Sequence, residues 1–462
     1  MLKIFNTLTR KKEIFKSICQ KKISMYICGV TVYKDCHIGH ARTFMFFDVV
    51  NRYFINLGYS VKYVRNITDI DDKIIQKTYS NKKNFISFTK NIIDRMHIDL
   101  KSLNILKPSF EPCVTSHITD IIDFIHTLLI NKHAYVDQNG DILFSIKSYK
   151  KYGQLLNKKN DLNIFKDNKN IYKNDFVLWK KSKNNEIFWN SPWGNGRPGW
   201  HIECSAINNV YFKNKLDIHG GGNDLIFPHH ENERAQSECF YKKKFVNYWM
   251  HTGMVILKNQ KMSKSIGNTF LIKDLINKFN PDVIRYYFLS TQYKHPIYYN
   301  IKNLIEINKI LKKWYFCIDL SNHKNFNFSL NNSSLFYINL FRNAMNDSFN
   351  TPLALSILSN LSKKIIMLYD MKKFEQAIFF SAKLCFLGKI LGFFNLNQSS
   401  INNFNNLKDI KLYNKIKKII QKRTDARKLR LWKKADLLRK KLLKLGIHVQ
   451  DKKNKTLWYF KI

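Results

Sequence analysis

The stretch Met25-Tyr-Ile-Cys-Gly-Val-Thr-Val-Tyr-Lys-Asp-Cys-His-Ile-Gly-His-Ala-Arg42 decides the fold of this chain. It begins with a short apolar run typical of a buried strand and ends with His37 and His40. The apolar spacing of residues 44–50 then favours a buried helix. Because a helix N-terminus exposes partly positive backbone N–H groups, the two histidines mark a candidate phosphate site. The alternative is a strand–helix corner with two surface histidines.

Net charge is the most unusual bulk property of the chain. The 462 residues include 78 Lys and Arg against 34 Asp and Glu, which gives a formal charge of +44. A charge of this size attracts polyanions, so nucleic acid is the first expected class of partner and an anionic membrane surface the second. The abundance of Phe, Ile, Asn and Lys also suggests an AT-rich coding sequence, which accounts for part of the lysine excess.

Cysteine usage and hydropathy indicate the compartment. The eight cysteines are scattered and form no C-x-x-C pair. The sequence has no signal-peptide pattern and no apolar run of 18 residues, so we expect a cytoplasmic protein with reduced thiols and no membrane partner. No heptad pattern argues for self-association, which favours a monomer.

A possible metal site is spread over distant segments. His229 and Glu233 are four residues apart on a predicted helix and therefore share a face. Two thiolates would complete a tetrahedral zinc site, and Cys28 and Cys204 are the natural candidates. Spacing alone leaves open a surface His/Glu pair and two buried cysteines.

The pentapeptide Lys261-Met-Ser-Lys-Ser265 carries two lysines on a predicted loop, with Gly267 after it. Such a loop can close on a triphosphate and stabilise the charge that develops on departing pyrophosphate. The alternative is a solvated basic loop in a lysine-rich chain.

Together, His37-Ile-Gly-His40 and Lys261-Met-Ser-Lys-Ser265 resemble the two signatures of class I aminoacyl-tRNA synthetases. Further motifs resemble the cysteinyl-tRNA synthetases, and the chain is identified as a member of that family over residues 1–462. These motifs are Cys28-Gly-Val-Thr-Val-Tyr33, Asn66-Ile-Thr-Asp-Ile-Asp-Asp-Lys73, Gly199-Trp-His-Ile-Glu-Cys204, Asp217-Ile-His-Gly-Gly-Gly222, Phe227-Pro-His-His-Glu-Asn-Glu233 and Phe349-Asn-Thr-Pro352.

The resemblance implies an α/β fold with a Rossmann-type parallel-sheet catalytic domain, an insertion, an α-helical bundle and a small mixed α/β anticodon-binding domain. The expected boundaries are 1–112 for the first half of the catalytic domain, 113–195 for the insertion, 196–250 for the second half, 251–305 for the lysine-motif loop and stem-contact region, 306–395 for the bundle, 396–408 for a linker and 409–462 for the anticodon-binding domain.

The resemblance also implies site residues and cofactors. One zinc ion per subunit would be held by Cys28, Cys204, His229 and Glu233 and would select the substrate thiolate over the serine hydroxyl. ATP, with Mg²⁺, would contact His37, Gly39, His40 and Lys264, and the catalytic groups would be His37, His40, Lys261 and Lys264. The cysteine pocket would include Gly29, Thr31, Thr68, Trp200, His219 and Asp224.

The partners implied are L-cysteine, ATP and tRNA(Cys). The basic tail would read the anticodon with Arg427, Asp436 and Asp451, and Trp432 suits stacking on an unpaired base. Three other functions are disfavoured. A sister ligase that joins cysteine to an amino-sugar lacks the tail that this chain carries. The intact metal-ligand and signature residues argue against a catalytically inactive RNA-binding paralogue, and a zinc hydrolase would leave Lys261-Met-Ser-Lys-Ser265 unexplained.

Overall fold

The structure is a computed structural model. It describes residues 1–80, 84–156, 175–183, 186–213, 215–257, 260–261, 270–320, 332–394, 419–427, 429, 431–444, 447–452 and 455–460. The strands in these ranges are β1 (Lys3–Asn6), β2 (Lys11–Ile14), β3 (Lys22–Thr31), β4 (Ser60–Thr68), β5 (Ala134–Val136), β6 (Ile142–Phe144), β7 (Phe176–Lys181), β8 (Gly196–Pro198), β9 (Leu216–Gly222), β10 (Val246–Thr252), β11 (Val255–Leu257), β12 (Gln260–Lys261), β13 (Ile297–Tyr298), β14 (Ile447–Lys452) and β15 (Lys455–Phe460).

The α-helices in the same ranges are α1 (Ile38–Asn56), α2 (Asp72–Ser80), α3 (Phe85–Ser102), α4 (Ile118–Ile130), α5 (Ile202–Phe212), α6 (Glu231–Tyr241), α7 (Ile272–Ile276), α8 (Pro281–Leu289), α9 (Ile301–Asp319), α10 (Asn332–Asn346), α11 (Thr351–Asp370), α12 (Phe374–Ile390), α13 (residues 419–427) and α14 (Trp432–Lys444). None of these described helices is long and apolar enough to cross a bilayer.

A four-stranded parallel sheet in the order β10-β9-β3-β4 forms the centre of the catalytic region. Its strands are nearly continuous buried runs, as expected when helices cover both faces of a parallel sheet. The carboxyl ends of parallel strands meet at one edge, which is where α/β proteins bind ligands. The strand, loop and helix predicted around His37 are confirmed as β3, the following loop and α1.

Gly29 permits a close approach between β3 and β4. The pairing register shifts between Ile27 and Val30, and a Cβ at Gly29 would lie 1.6 Å from the carbonyl oxygen of Asn66. The Gly29 N–H donates instead to the Asn66 side chain at 2.8 Å. Any larger residue here would push β3 away from β4 at the edge where ligands bind.

The remaining strands form smaller sheets around this centre. β1 and β2 form an antiparallel hairpin, and β5-β6-β7-β8 form an antiparallel sheet within the chain that separates β4 from β9. The Asn139-Gly140 pair is typical of a hairpin turn and predicts a hairpin here, which the pairing of β5 with β6 confirms. β11 pairs with β12 and β13, so the chain that enters the lysine motif lies in a three-stranded sheet.

The sequence predicts a helical region over residues 303–394 with one clear break, at Asp347–Pro352. In its described residues the structure has another break at residues 371–373, between α11 and α12, as well as the predicted one at Asp347–Pro352. Ser348 and Phe349 have φ of 56° and 52°, and this turn directs the fully buried Phe349 ring against α1. Its ring centroid lies 6.1 Å from that of Phe46 and 5.9 Å from that of Phe54, both in edge-to-face geometry. The corner between α10 and α11 therefore packs directly on the helix that carries His40.

A buried ion pair also connects the catalytic region with the bundle. Nη1 of Arg285 lies 2.9 Å from Oδ2 of Asp48, and both side chains are fully buried. The same guanidinium donates to the carbonyls of Leu391 at 3.1 Å and of Leu103 and Asn104 at 2.8 Å. Because a buried charge is costly unless charges or hydrogen bonds compensate it, this arrangement fixes α1, α8 and the end of α12 together.

The tail differs from its prediction. The basic segment Leu412–Leu445 is predicted as one helix, which is wrong for the described residues: α13 and α14 are separate. Leu429 lies in a turn, and the Leu431 N–H donates to the Ala426 carbonyl at 2.8 Å. No glycine or proline marks this break, so the sequence contains no local signal for it. The β-prone pieces after it are confirmed as the antiparallel hairpin of β14 and β15.

Candidate metal and nucleotide site

A cavity of about 470 Å³ opens at the carboxyl edge of the parallel sheet. The last residue of each central strand lines it, namely Thr31, Thr68, Gly222 and Thr252. The other lining residues are Cys28, Gly29, Val30, Tyr33, His37, Gly39, His40, Thr43, Phe44, Asn66, Lys73, Trp200, Cys204, Asp224, Leu225, His229, Gly253, Met254 and Val255. The volume is that of a site for small molecules.

The structure brings the four predicted metal ligands together at one end of this cavity. The Cys28 and Cys204 sulfurs lie 3.9 Å apart, and Cys28 Sγ lies 3.2 Å from Glu233 Oε1. His229 Nε2 is 3.6 Å from Cys204 Sγ and 3.1 Å from Glu233 Oε1. Ligand atoms 2.0–2.3 Å from a tetrahedral ion are separated by roughly 3.3–3.8 Å. The spacing therefore fits one small cation.

A second possible ligand set shares two of these residues. Cys28, His219, His230 and Glu233 also place their donor atoms within 4.8 Å of one another. However, His219 and His230 do not line the cavity, whereas Cys28, Cys204 and His229 do. An ion in the first set can reach a molecule in the cavity, and an ion in the second would lie behind the cavity wall.

The donor chemistry also fits a cation. Burial raises the pKa of Cys28 well above its usual range and raises that of Cys204 to about 12. Although burial alone would raise the pKa of Glu233, the charges of His219 and His229 hold it below its usual value. Buried thiolates therefore need a neighbouring positive charge, which a bound metal ion provides.

Two histidines behind the cluster hold its ligands. His219 Nε2 lies 2.8 Å from Glu233 Oε2, and Nδ1 of His201 lies 2.8 Å from Nδ1 of His229. Burial lowers the pKa of His201 well below its usual range, so its neutral ring can accept the Nδ1–H of His229. Such contacts orient ligating side chains. His219, which the resemblance places in the cysteine pocket, contacts Glu233 from a buried position on β9 and does not line the cavity.

His37 and His40 form the N-terminal cap of α1. His37 is the N-cap residue, and its side chain accepts the His40 N–H at 3.4 Å, while the His40 ring accepts the His37 N–H at 3.3 Å. The two rings stack with their centroids 3.6 Å apart. This reciprocal arrangement is a capping box built from two imidazoles, and it sets both rings at the cavity wall beside Gly39.

The other predicted pocket residues lie on the cavity wall, with the exception of His219. Gly29, Thr31, Thr68, Trp200 and Asp224 all line the cavity. The Trp200 ring is 45% exposed and stacks on the ring of His229 with centroids 5.0 Å apart. An aromatic ring thus lies between the metal ligands and solvent.

Several wall residues were not predicted from sequence. Tyr33, Asn66 and Lys73 belong to motifs that the resemblance identified, so their motifs carried the signal although the residues were not singled out. Residues 252–255 also line the cavity, and only their position shortly before Lys261 could have indicated them.

Some predicted residues cannot be placed. Lys264 lies outside the residues that the structure describes, as do the side chains of Lys261 and Asp451, whose backbones lie in β12 and β14. In the tail, the Arg427 guanidinium lies 5.5 Å from the centroid of the Trp432 ring. Asp436 is exposed on α14.

Comparisons with known proteins show which family this chain belongs to. Residues 14–309 match the family model of the class I (C) tRNA synthetase catalytic domain, and residues 340–395 match that of the DALR domain. Among curated proteins, the chain is 48% identical over 476 residues to the cysteine–tRNA ligase of Buchnera aphidicola subsp. Acyrthosiphon pisum (strain APS). It is 44% identical over 465 residues to that of Haemophilus influenzae (strain 86-028NP), and both matches cover 99% of each chain.

Solved structures support the fold. A methionyl-tRNA synthetase of Mycobacterium tuberculosis, in complex with methionyl-adenylate, aligns with a TM-score of 0.59 at 12% identity, covering 80% of this chain and 90% of that one. A leucyl-tRNA synthetase of Agrobacterium radiobacter K84 aligns with a TM-score of 0.59 at 11% identity, covering 80% and 83%. The curated relatives and the matched catalytic and DALR domains agree with the motifs that line the cavity. They show that this chain belongs to the cysteinyl-tRNA synthetase family of class I aminoacyl-tRNA synthetases.

Proposed function

We propose that this chain activates L-cysteine with ATP to cysteinyl-adenylate and then transfers the cysteinyl group to the 3′-terminal ribose of tRNA(Cys). One observation carries the proposal. A cluster suited to bind sulfur through a metal and a helix N-terminus suited to bind phosphate lie on the wall of the same cavity. An enzyme that joins a cysteine carboxylate to a nucleoside phosphate needs both groups within reach of one small molecule.

Zinc is the metal that the donor set favours. Two thiolates, one imidazole and one carboxylate are borderline-soft ligands at tetrahedral spacing, which suits Zn²⁺ better than Mg²⁺. Bound there by Cys28, Cys204, His229 and Glu233, zinc would supply a Lewis acid that holds the substrate thiolate and discriminates against the serine hydroxyl. Cysteine and serine are so similar in shape that a pocket discriminates between them poorly by size alone, so binding of the sulfur to the metal would provide the selection.

The residues of the cavity position the remaining parts of the substrate. Asp224 offers a carboxylate to the substrate ammonium, and Trp200 closes the cavity over His229. His37 and His40, with the N–H groups that begin α1, would bind the ATP phosphates, and Mg²⁺ would supply further positive charge to them. A carboxylate oxygen of cysteine then attacks the α-phosphorus, the bond to the bridging oxygen breaks, and pyrophosphate leaves. The lysines of Lys261–Ser265 would stabilise its charge.

A direct assay tests this function. We expect cysteine-dependent ATP–pyrophosphate exchange, with serine giving a rate lower by at least about 100-fold, followed by charging of tRNA(Cys). Exchange that serine supports as well as cysteine would refute zinc-based selection. Transfer of cysteine to an amino-sugar without charging of tRNA would favour the sister ligase, which the full-length match to tRNA ligases does not support.

We propose a monomer, which light scattering of the purified chain would test.

The tail supplies the choice of tRNA, and Asp436 provides a prediction. Replacing this exposed residue of α14 by alanine should lower kcat/KM for tRNA(Cys) about 10- to 100-fold, because a polar contact to a base edge contributes roughly that much discrimination. Pyrophosphate exchange, measured without tRNA, should not change. Asp425→Ala, which removes the same charge from an exposed position on α13, serves as the matched control and should keep both rates. An equal loss of exchange and charging in Asp436→Ala would assign the residue to stability instead.

A further inference from the structure

Arg42 has an unusual environment two residues after His40. Its side chain is 2% exposed, and Nη1 donates to the carbonyls of Gly253 at 2.7 Å and of Met254 at 2.8 Å. Nη2 donates to the carbonyls of Tyr293, at 3.4 Å, and of His295. In the described part of the chain Arg42 forms no ion pair, so backbone oxygens alone hold this buried charge. Burial lowers the pKa of Arg42 to about 10, which still leaves it charged at neutral pH.

The carbonyls that Arg42 holds belong to the chain that leads into the lysine motif. Gly253 and Met254 line the cavity and precede β11, which pairs with β12, where Ile256 is opposite Lys261. β11 also pairs with β13, which begins two residues after His295. Four donated hydrogen bonds from one guanidinium thus fasten both neighbouring strands to α1.

Gly253 completes this junction. Its N–H donates to the Tyr293 carbonyl at 2.7 Å, and a Cβ at Gly253 would lie 2.2 Å from the carbonyl oxygen of His295. The backbone at Gly253 therefore approaches that of residues 293–295 as closely as a glycine permits, and Arg42 donates to the carbonyls of both segments that point towards α1.

The chain that follows the lysine motif is attached to the same segment. The Ile38 N–H donates to the Phe270 carbonyl and the Ile272 N–H donates to the Cys36 carbonyl, both at 3.0 Å. Lys273 Nζ lies 2.8 Å from Asp35 Oδ2. The described residues on both sides of Lys261–Ser265 are therefore fixed to the stretch that carries His37 and His40, by backbone pairing after the motif and by Arg42 before it.

We propose that Arg42 is a positioning residue for cysteine activation: it holds Gly253 and Met254 against α1 and so sets where the chain enters the lysine motif relative to His37 and His40. The inference rests on the proposed function. Arg42 touches no substrate in this role. It acts through the distance between the two phosphate-binding segments, and displacing a catalytic group by about 1 Å can cost about 100-fold in rate.

Arg42→Lys tests the proposal, because lysine keeps the charge but cannot bond four carbonyls in a planar fork. We expect kcat of ATP–pyrophosphate exchange to fall about 10- to 100-fold. Single-turnover transfer from preformed cysteinyl-adenylate to tRNA, and the zinc content, should remain as in the unmodified chain. Substitution of a residue that merely stabilises the fold would not lower pyrophosphate exchange while leaving transfer to tRNA unchanged.

Arg285→Lys is the matched control. Arg285 is also a buried arginine that bonds three backbone carbonyls, but it lies away from the cavity, so its variant should lose thermal stability without separating the two steps. Gly253→Ala disturbs the same junction with Arg42 intact and should reproduce the separation, which keeps the proposal testable if Arg42→Lys does not fold. The proposal would be overturned if Arg42→Lys lost pyrophosphate exchange and transfer to tRNA equally. If Arg42→Lys does not fold, equal losses in Gly253→Ala would overturn it. A loss of exchange without a loss of transfer in Arg285→Lys would also overturn it. A lack of exchange in the unmodified chain would instead refute the proposed function.

Discussion

Replacing Cys204 by alanine is expected to abolish bound zinc and the preference for cysteine over serine together. Cys204 is 1% exposed, and its sulfur lies 3.9 Å from Cys28 Sγ and 3.6 Å from His229 Nε2. Residues that only orient metal ligands already contribute 10- to 100-fold in affinity or activity. Loss of a ligand should therefore lower kcat/KM for cysteine in pyrophosphate exchange by about 100-fold or more, while serine activation changes little.

Cys239→Ala provides the control for this substitution. Cys239 is a buried thiol on α6, 4% exposed, and it belongs to neither possible ligand set. The Cys239→Ala protein should lose a little stability and keep one zinc per chain, as measured by inductively coupled plasma mass spectrometry. The Cys204 variant also distinguishes the two sets, because the alternative set of Cys28, His219, His230 and Glu233 does not need Cys204. Retained zinc with retained selectivity in Cys204→Ala would eliminate the proposed ligand set.

The metal cluster shows which parts of a site a sequence can reveal. The spacing of His229 and Glu233 predicts that they share one helix face, because an α-helix has a fixed period. The structure brings their donor atoms within 3.1 Å, although His229 belongs to the π-helical turn Ile226–His230 that precedes α6. Cys28 and Cys204 come from a strand and another helix, so the residues alone make them no more than candidates, and the family resemblance is what favours them as ligands with that pair. Their proximity depends on how β3, α5 and α6 pack, which local pattern does not encode. The resemblance identified the members, and the structure supplied the distances.

The residues that sequence reasoning missed or misplaced share a physical reason. Arg42 bonds backbone carbonyls more than 200 positions away, and carbonyls are common to every residue type, so no pattern marks its partners. His219 carries a pocket motif, yet its position on β9 places it behind Glu233. The break between α13 and α14 lacks a glycine or proline. In each case tertiary packing decides, whereas the strand, loop and helix around His37 follow from apolar spacing alone.

His40→Gln is expected to lower the rate of cysteine activation by about 100- to 1,000-fold while the fold remains intact. Glutamine at the third helical position can accept the N-cap N–H as the His40 ring does now, so the reciprocal cap of α1 survives. The imidazole that is proposed to bind the ATP phosphates is lost, and removing one donor that stabilises developing charge costs about this much in kcat. Pyrophosphate exchange measures the rate, and thermal unfolding measures the cap.

Two further variants separate capping from catalysis. His40→Ala removes the imidazole and the bond that its ring accepts from the His37 N–H, while the His37 side chain still accepts the backbone N–H of residue 40. It should lower the melting temperature as well as the rate, since a lost hydrogen bond costs about 0.5–1.5 kcal/mol. His126→Gln, at an exposed position of α4, makes the same chemical change away from the cavity and should alter neither the melting temperature nor the rate of pyrophosphate exchange. If His40→Gln exchanges pyrophosphate at the unmodified rate, then His40 only caps α1, and phosphate binding at this end of the cavity falls to His37 and the free N–H groups of the helix.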